Sequence, residues 1–332
     1  MKKVLITGAS GFVGGFLVEK ALNKGYEVYA VVRKTSSRQY LTDPRINFIE
    51  LNLLNQERLN EQLVILREEK GTFDYVIHGA GITKANNNAE FFSVNTEITR
   101  KLVNGLIETN FVSDKFVFVS SLAAAGPGPN REETIKIDQE PSPVTSYGKS
   151  KLEAENFLSS TTLDHIILRP TAVFGPRDTE LFTLFNLINK NLEFYIGTDQ
   201  QKLSFIYVKD LVEMTFAAME STVKSKTYLI SDGNNYLIKD FINTIKTSLD
   251  KKTFKVIVPA GIVSVVAFIL EKVLGVFGKV PALNSEKMAE LTAENWTCDM
   301  THFFDDFSYR PKYDLQTAVT ETAEWYKNEN WI

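Results

Sequence analysis

The sequence predicts an α/β chain in which a doubly wound parallel sheet is followed by a smaller, mostly helical lobe. Three observations carry this. A glycine-spaced turn, Thr7-Gly8-Ala9-Ser10-Gly11-Phe12-Val13-Gly14, lies between the apolar triplet Val4-Leu5-Ile6 and a stretch that places Val13, Leu17 and Ala21 on one helical face. Short apolar runs then alternate with helical periodicity as far as residue 175, the pattern of strands joined by right-handed crossovers. After Phe174-Gly175-Pro176 that rhythm loosens. The expected division is therefore 1–175 and 176–332, with some exchange of chain between the two parts.

In chain order, the first strand ends at the glycine turn, and its helix stops near Gly25. Strands are expected at 26–32 and 46–51, then a helix over 55–69 and a strand at 75–78 that runs into Gly79-Ala80-Gly81. A long helix over 89–108 carries Asn95, and a fifth strand at 116–119 stops at Ser120-Ser121. A loop rich in Pro and Gly, 125–145, leads to a helix through Tyr147, Lys151 and Phe157. A sixth strand, 166–168, ends at Arg169-Pro170. Beyond 176, helical segments at 181–189, 208–219 and 238–249 mix with short strands such as 226–230.

With 332 residues, 44% hydrophobic and 23% charged, the composition is that of an ordinary globular protein with room for a large core. A net charge of -4 gives no electrostatic case for nucleic acid. The single cysteine, Cys298, excludes an internal disulfide framework and fits a reducing compartment. His78, His165 and His302 are too scattered to suggest a metal site. The first strand begins three residues in, so no leader is expected and the location is read as cytoplasmic. The apolar run at 256–277 is broken by Glu271-Lys272, which favours a buried or interfacial helix over a membrane span. That leaves peripheral membrane contact open, alongside a pair of core helices with no further role.

Open parallel sheets bind ligands beyond the carboxyl ends of their strands. Those ends are the glycine turn, Val32-Arg33, Asn52, Gly79-Ala80-Gly81, Ser120-Ser121 and Pro170-Thr171. At the glycine turn, Gly8 allows a tight bend, Gly11 leaves room for a pyrophosphate at the helix N-terminus, and Gly14 lets helix and strand pack closely. Tyr147 and Lys151 are four residues apart on one helix face. A lysine ammonium beside the phenol is expected to lower its pKa toward working pH, making Tyr147 a proton donor or acceptor. Ser121 could hydrogen-bond the substrate oxygen. Each has a plainer reading: Tyr-x-x-x-Lys as a surface pair, the serines as a cap or turn, Asn95 as a solvated position. For His78 the plainer reading, a satisfied structural histidine, is the one adopted.

Taken in order, these pieces resemble the extended short-chain dehydrogenase/reductases, the group that includes the NAD-dependent epimerases and dehydratases. The resemblance is carried by Thr7-Gly-x-x-Gly-x-x-Gly14, His78-Gly-Ala-Gly81, Asn95, Ser120-Ser121, Tyr147-x-x-x-Lys151, Arg169-Pro-x-x-Val-Phe-Gly-Pro176 and Phe205-Ile-Tyr-Val-x-Asp-Leu211. It implies a Rossmann-type sheet, with Tyr147 as general acid/base, Ser121 orienting the reacting oxygen, and Lys151 holding the nicotinamide ribose. The cofactor would be lined by Gly8, Ser10, Gly11, Phe12, Val13, Gly14, Arg33, Asn52, Leu53, Gly79, Ala80, Gly81, Asn95, Tyr147, Lys151, Pro170, Thr171 and Val173. Asn52 stands where the family commonly has an aspartate near adenine. A homodimer packed through helices that include the one bearing Tyr147 is expected by analogy.

Where NAD-specific proteins carry a carboxylate, this chain has Val32 and Arg33, with Lys34 and Arg38 nearby, so NADP(H) is expected ahead of NAD(H). Three departures count against a nucleoside-diphosphate substrate. Ala172 replaces an expected Asn, Leu203 replaces an expected Arg, and no arginine occurs from Asn284 to Cys298; Lys202 and Lys287 could compensate. The Arg169–Asp178 segment and the apolar 256–277 stretch are more similar to the hydroxysteroid dehydrogenase and dihydroflavonol reductase branch. The expected activity is hydride transfer between nicotinamide C4 and an apolar secondary alcohol or carbonyl. The alternative is a nucleoside-diphosphate-sugar epimerase or dehydratase with tightly held NAD. A non-catalytic cofactor sensor is disfavoured, because Tyr147 and Lys151 are both present.

Overall fold

The computed structural model describes residues 1–275 and 285–332. In chain order the elements of the first half are β1 (Lys3–Thr7), α1 (Phe12–Asn23), β2 (Glu27–Val31), β3 (Asn47–Ile49), α2 (Gln56–Lys70), β4 (Phe73–His78), α3 (Asn88–Phe91), α4 (Ile98–Glu108), β5 (Val112–Val119), α5 (Ser146–Ser159), β6 (His165–Pro170) and β7 (Ala172–Phe174). There follow α6 (Phe182–Asn189), β8 (Leu192–Ile196), β9 (Lys202–Leu203), β10 (Phe205–Tyr207), α7 (Val208–Glu220), β11 (Lys226–Ile230), β12 (Tyr236–Leu237), α8 (Ile238–Leu249) and β13 (Phe254–Val258). The last elements are α9 (Ala260–Gly275), α10 (Ser285–Thr292), β14 (Asn295–Trp296), α11 (Thr301–Asp306) and α12 (Leu315–Asn328).

Seven strands form one parallel sheet in the order β11-β6-β5-β4-β1-β2-β3. Strand periodicity divides the core in two. Val4 and Ile6 of β1 face the side packed by α1, α7, α8 and α12, while Leu5 faces the side packed by α2, α4 and α5. Both faces are covered, which is why the strands read as unbroken apolar runs. One strand was not foreseen in this sheet: β11, expected among the strands of the smaller lobe, pairs with β6 from Lys226↔Ile166 to Ile230↔Pro170.

The chain builds outward from β1 in both directions, through β2 and β3 on one side and β4, β5, β6 and β11 on the other. The loops after β1 and β4 therefore part at the switch point, where such sheets take their ligands. Backbone contact makes this point unusually tight. Gly8 has φ +71°, and a methyl group there would stand 2.6 Å from the carbonyl of Gly79. One at Gly14 would stand 2.0 Å from Gly8 O.

Two expected helices differ. The stretch expected as one helix over 89–108 is interrupted by a π-helical segment, Phe92–Glu97, which contains Asn95. Such a widened turn rotates the side chains after it and often marks a site. The run at 256–277 begins as strand, since Val256, Ile257 and Val258 belong to β13, and the helix starts only at Ala260. Ile262, Val265 and Phe268 on that helix are more than half exposed, which excludes a core helix at these positions. Residues 276 and 277 of that run lie outside the described residues.

Glycine contacts give a direct test. Gly14→Ala is expected to cost at least ~2 kcal/mol in urea unfolding, because backbone must move to admit the methyl. Gly25→Ala, at φ +79° with nothing within 4 Å, should cost only the left-handed strain of about 1 kcal/mol. Equal losses would contradict the close-approach account.

Candidate active site

The glycine turn leaves an open cradle at the N-terminus of α1. Gly11 caps the helix without a side-chain hydrogen bond, and its N–H donates to Gly8 O at 2.9 Å. The first-turn N–H groups of Phe12, Val13 and Gly14 have no intrahelical acceptor and stand ready for an anion. Ser10 and Gly11 are exposed at the lip, and Gly79 and Ala80 form the facing wall. These residues fit a dinucleotide: the cradle exists because the three glycines carry no Cβ.

Behind the wall runs a continuous buried hydrogen-bond chain. Ala80 N donates to Thr7 Oγ1 (3.3 Å), which lies 2.6 Å from His78 Nδ1. His78 Nε2 lies 2.9 Å from Thr99 Oγ1, and Thr99 donates to Asn95 O at 2.6 Å. Because the Thr99 hydroxyl hydrogen is committed to Asn95 O, His78 Nε2 must be the donor, and Nδ1 accepts from Thr7. Asn95 Nδ2 donates to Ser150 Oγ (3.1 Å) and Ile82 O (3.1 Å), its Oδ1 accepts from Ile82 N (2.8 Å), and Ser150 donates to Tyr147 O (2.7 Å). The loop after β4 is thus tied, bond by bond, to the helix that carries Tyr147. Asn95 is 1% exposed, so it is not a solvated position, and its amide N–H groups are spent on protein.

Tyr147 and Ser121 meet because α5 starts against the turn after β5. A methyl at Gly148 would lie 2.3 Å from Ala123 O, so only glycine admits this approach. Ser121 Oγ accepts from Ala123 N (3.2 Å), as the capping reading expects, and its hydroxyl side lies toward the Tyr147 phenol, whose proton affinity it lowers. Lys151, one turn on, is 4% exposed; its Nζ donates to Val119 O (3.2 Å) and lies 4.9 Å over the Phe118 ring. Gly81 faces the same point, with a methyl there standing 3.2 Å from Lys151 Nζ.

The expected lowering of the Tyr147 pKa is not what this arrangement produces. Burial pushes the phenol up to about 12; the neighbouring Ser121 hydroxyl opposes this, and the carboxylates of Glu180 and Glu290 add to it. Burial likewise brings Lys151 down to about 8, against the pull of Glu155. Desolvation is the largest cause at both groups.

Other expected positions divide into free and engaged. Arg33, at the end of β2, is exposed, and its guanidinium has no ion-pair partner among the described residues. Arg38 stacks over Phe48 at 4.4 Å. Asn52 Oδ1 accepts from Leu54 N and Asn55 N (both 3.2 Å), forming the turn that opens α2 and leaving its NH2 outward; Leu53 lies half-buried in that turn. Pro170 is buried at the end of β6, Thr171 gives its hydroxyl to Ser204 O (2.6 Å), and Val173 is half-buried in β7.

Three contributors escaped the sequence reading. Arg169 forms a buried two-nitrogen pair with Glu155 (2.6 Å from Nη2), and Glu155 also accepts from Ser120, so that serine is structural while its neighbour faces the site. Glu286, on α10, accepts from Ser146 N (2.9 Å), Ser146 Oγ (2.5 Å) and Asn88 Nδ2 (3.3 Å), pinning the start of α5. Asp210, fully buried, accepts from Tyr309 Oη (2.6 Å), Lys312 N (2.9 Å) and Tyr313 N (3.1 Å) and fastens the C-terminal segment. Arg169 and Asp210 each lie in a run quoted for the resemblance, though their structural partners do not show there; Glu286 depends on a partner 140 residues away.

A model of the NAD dependent epimerase/dehydratase family matches residues 4–231. The chain belongs to this family. Family members similar to it include a decarboxylating sterol-4-alpha-carboxylate 3-dehydrogenase of Dictyostelium discoideum, 29% identical over 73% of this chain and 74% of the relative. A UDP-glucose 4-epimerase of Vibrio cholerae is 26% identical over 99% of this chain and 97% of its own. Among solved structures, the UDP-glucose 4-epimerase of Thermus thermophilus in complex with NAD superposes with a TM-score of 0.77 at 19% identity, covering 98% of this chain and 99% of that one. The family and these relatives are NAD-dependent enzymes of the extended short-chain dehydrogenase/reductase class, and this chain is one.

In this family member the buried chain requires a neutral His78, whose pKa burial lowers to about 3. Unfolded histidine titrates near 6.5. The folded value is the depressed one, so this contribution is complete above pH 6.5 and is lost as pH falls toward 3. Urea unfolding at pH 7 and pH 5 should show a loss about 2 kcal/mol larger than in His78→Gln. An equal loss would contradict a buried neutral imidazole.

Proposed function

We propose that this enzyme is an NAD(P)-dependent oxidoreductase that transfers hydride between nicotinamide C4 and an apolar secondary alcohol or its carbonyl. The observation that carries the reaction type is the close approach of α5 to the turn after β5, which brings Tyr147 to the side of Ser121 at the carboxyl ends of the strands, with Lys151 one turn behind. The dinucleotide supplies the hydride donor or acceptor. Tyr147 moves the proton at the substrate oxygen: with a pKa near 12 its phenol is protonated at neutral pH, ready to donate as a carbonyl is reduced. Ser121 orients that oxygen, and Lys151 holds the nicotinamide ribose. Gly8, Gly11 and Gly14, with the N–H groups of the first turn of α1, hold the pyrophosphate.

The substrate class rests on charge. Leu203 occupies β9 where a diphosphate would want arginine, and the two lysines that could replace it are engaged: Lys202 with Glu132 (2.6 Å) and Lys287 with Glu290 (3.0 Å). The carboxylates of Glu180 and Glu290 raise the proton affinity of Tyr147, and neither adds a positive partner for a diphosphate. A second diphosphate would be poorly matched there. The full-length similarity to a UDP-glucose 4-epimerase favours a second reading, a nucleotide-sugar epimerase or dehydratase that retains its NAD.

NADP(H) is proposed as the preferred cofactor because the free Arg33 guanidinium lies where a 2′-phosphate would sit. NADPH should bind at least about tenfold more tightly than NADH, and Arg33→Ser should erase the difference. Equal affinity in the unaltered protein, or NAD carried through purification, would instead favour the epimerase reading. Tyr147→Phe should lower turnover by about 10²–10⁴ while leaving cofactor affinity within about twofold. Retained turnover would overturn the assignment of Tyr147.

A further inference from the structure

Strand β13 is the edge of a two-stranded parallel sheet with β8. Its register sets Phe254 beside Leu192, Val256 beside Phe194, and Val258 beside Ile196. Side chains paired in this way share a face, so one side of this small sheet is made of six apolar residues with no polar one among them. Phe254 is 72% exposed and Phe194 40%. Edge strands open to water are ordinarily blunted by charge, and this face is not. The same stretch of chain continues through Pro259 into α9, whose residues 260–270 carry no charge. Ile262, Val265 and Phe268, three apart on that helix, are each more than half exposed.

The surroundings of this surface are basic. Residues 251–258, which run into it, carry three lysines and no acidic residue, in a chain whose net charge is -4. Phe254 N donates to Asn191 O at 2.8 Å, which brings Lys190 to the same end of the sheet as Lys251 and Lys252. Lys255 is held by Asp199 at 2.6 Å. Exposed phenylalanines and branched aliphatics beside a group of lysines are the pattern of a surface that lies in the headgroup region of a bilayer. The 16 residues of α9 span only about 24 Å. No helix among the described residues is long and apolar enough to cross a membrane.

We propose that the face formed by Phe194, Phe254, Ile262, Val265 and Phe268 docks on an anionic lipid bilayer, with Lys190, Lys251 and Lys252 meeting lipid phosphates. The proposal is independent of the substrate assignment, because its readout is binding and not turnover. The test is flotation of the full chain with vesicles of phosphatidylcholine and phosphatidylglycerol in equal parts, against vesicles of phosphatidylcholine alone. The expected result is at least tenfold stronger binding to the anionic vesicles, reduced in high salt. The paired substitution Phe254→Ser with Phe268→Ser should reduce binding at least tenfold. Each of Lys251→Gln and Lys252→Gln should weaken it about fivefold at low salt. The lysine variants alter solvated side chains only, so they test the charge contribution whatever the serines do to folding. Absence of flotation, equal binding to both vesicles, or binding unchanged by the serines would overturn the proposal. So would sedimentation showing a dimer that the serine variant converts to monomer, since the face would then be covered by a second copy.

Discussion

The structure depends on a contact between backbones at the centre of its sheet. The turn after β1 presses against both the loop after β4 and the first turn of α1, at distances that leave no room for a Cβ at Gly8 or Gly14. This sets the two diverging loops of the switch point at a fixed separation and aims the α1 N-terminus between them. On the proposed reading this geometry is what would hold a pyrophosphate, because the donors are backbone N–H groups whose positions no side-chain rotamer can adjust. The cost is a concentration of glycine where glycine is otherwise unfavourable, offset by the cores on both faces of the sheet.

The same junction is joined to the helix that carries Tyr147 by hydrogen bonds and not by packing alone. From Ala80 through Thr7, His78, Thr99, Asn95 and Ser150 to Tyr147, each polar group is satisfied by the next. A fully satisfied buried network fixes one arrangement, whereas a single missing partner would leave a costly orphan. The Glu155–Arg169 pair does similar work below Lys151, holding Ser120 and supplying the negative charge that keeps the lysine from losing its proton more easily still. Tyr147 is thereby fixed from two sides, by Ser150 within its helix and by Glu286 at the helix start.

Much of this was legible in the sequence, and the division follows the range of the interactions. The glycine turn, the alternation of strand and helix, and the Tyr147–Lys151 face are local patterns of period 2, 3.6 or fixed spacing, and the structure places them as expected. Asn95 was found by its motif, but its position on a π-helical turn is set by packing against α5 and leaves no periodic trace. Glu286 lies 140 residues from Ser146, and β11 pairs with β6 across 60 residues, so neither partnership is written in local sequence. The Tyr147 pKa was misjudged for a related reason. Spacing reveals the lysine neighbour, whereas the burial that raises the phenol is a property of the assembled fold.

The substrate side gives the account its sharpest exposure to error. A nucleotide-sugar substrate would bring a second diphosphate to neutralise, and here Lys202 and Lys287 are each paired with a glutamate. The most direct measurement is a calorimetric titration of the cofactor-saturated protein with UDP. The account predicts no saturable heat up to about 1 mM, and a dissociation constant of about 10 μM or below would contradict it.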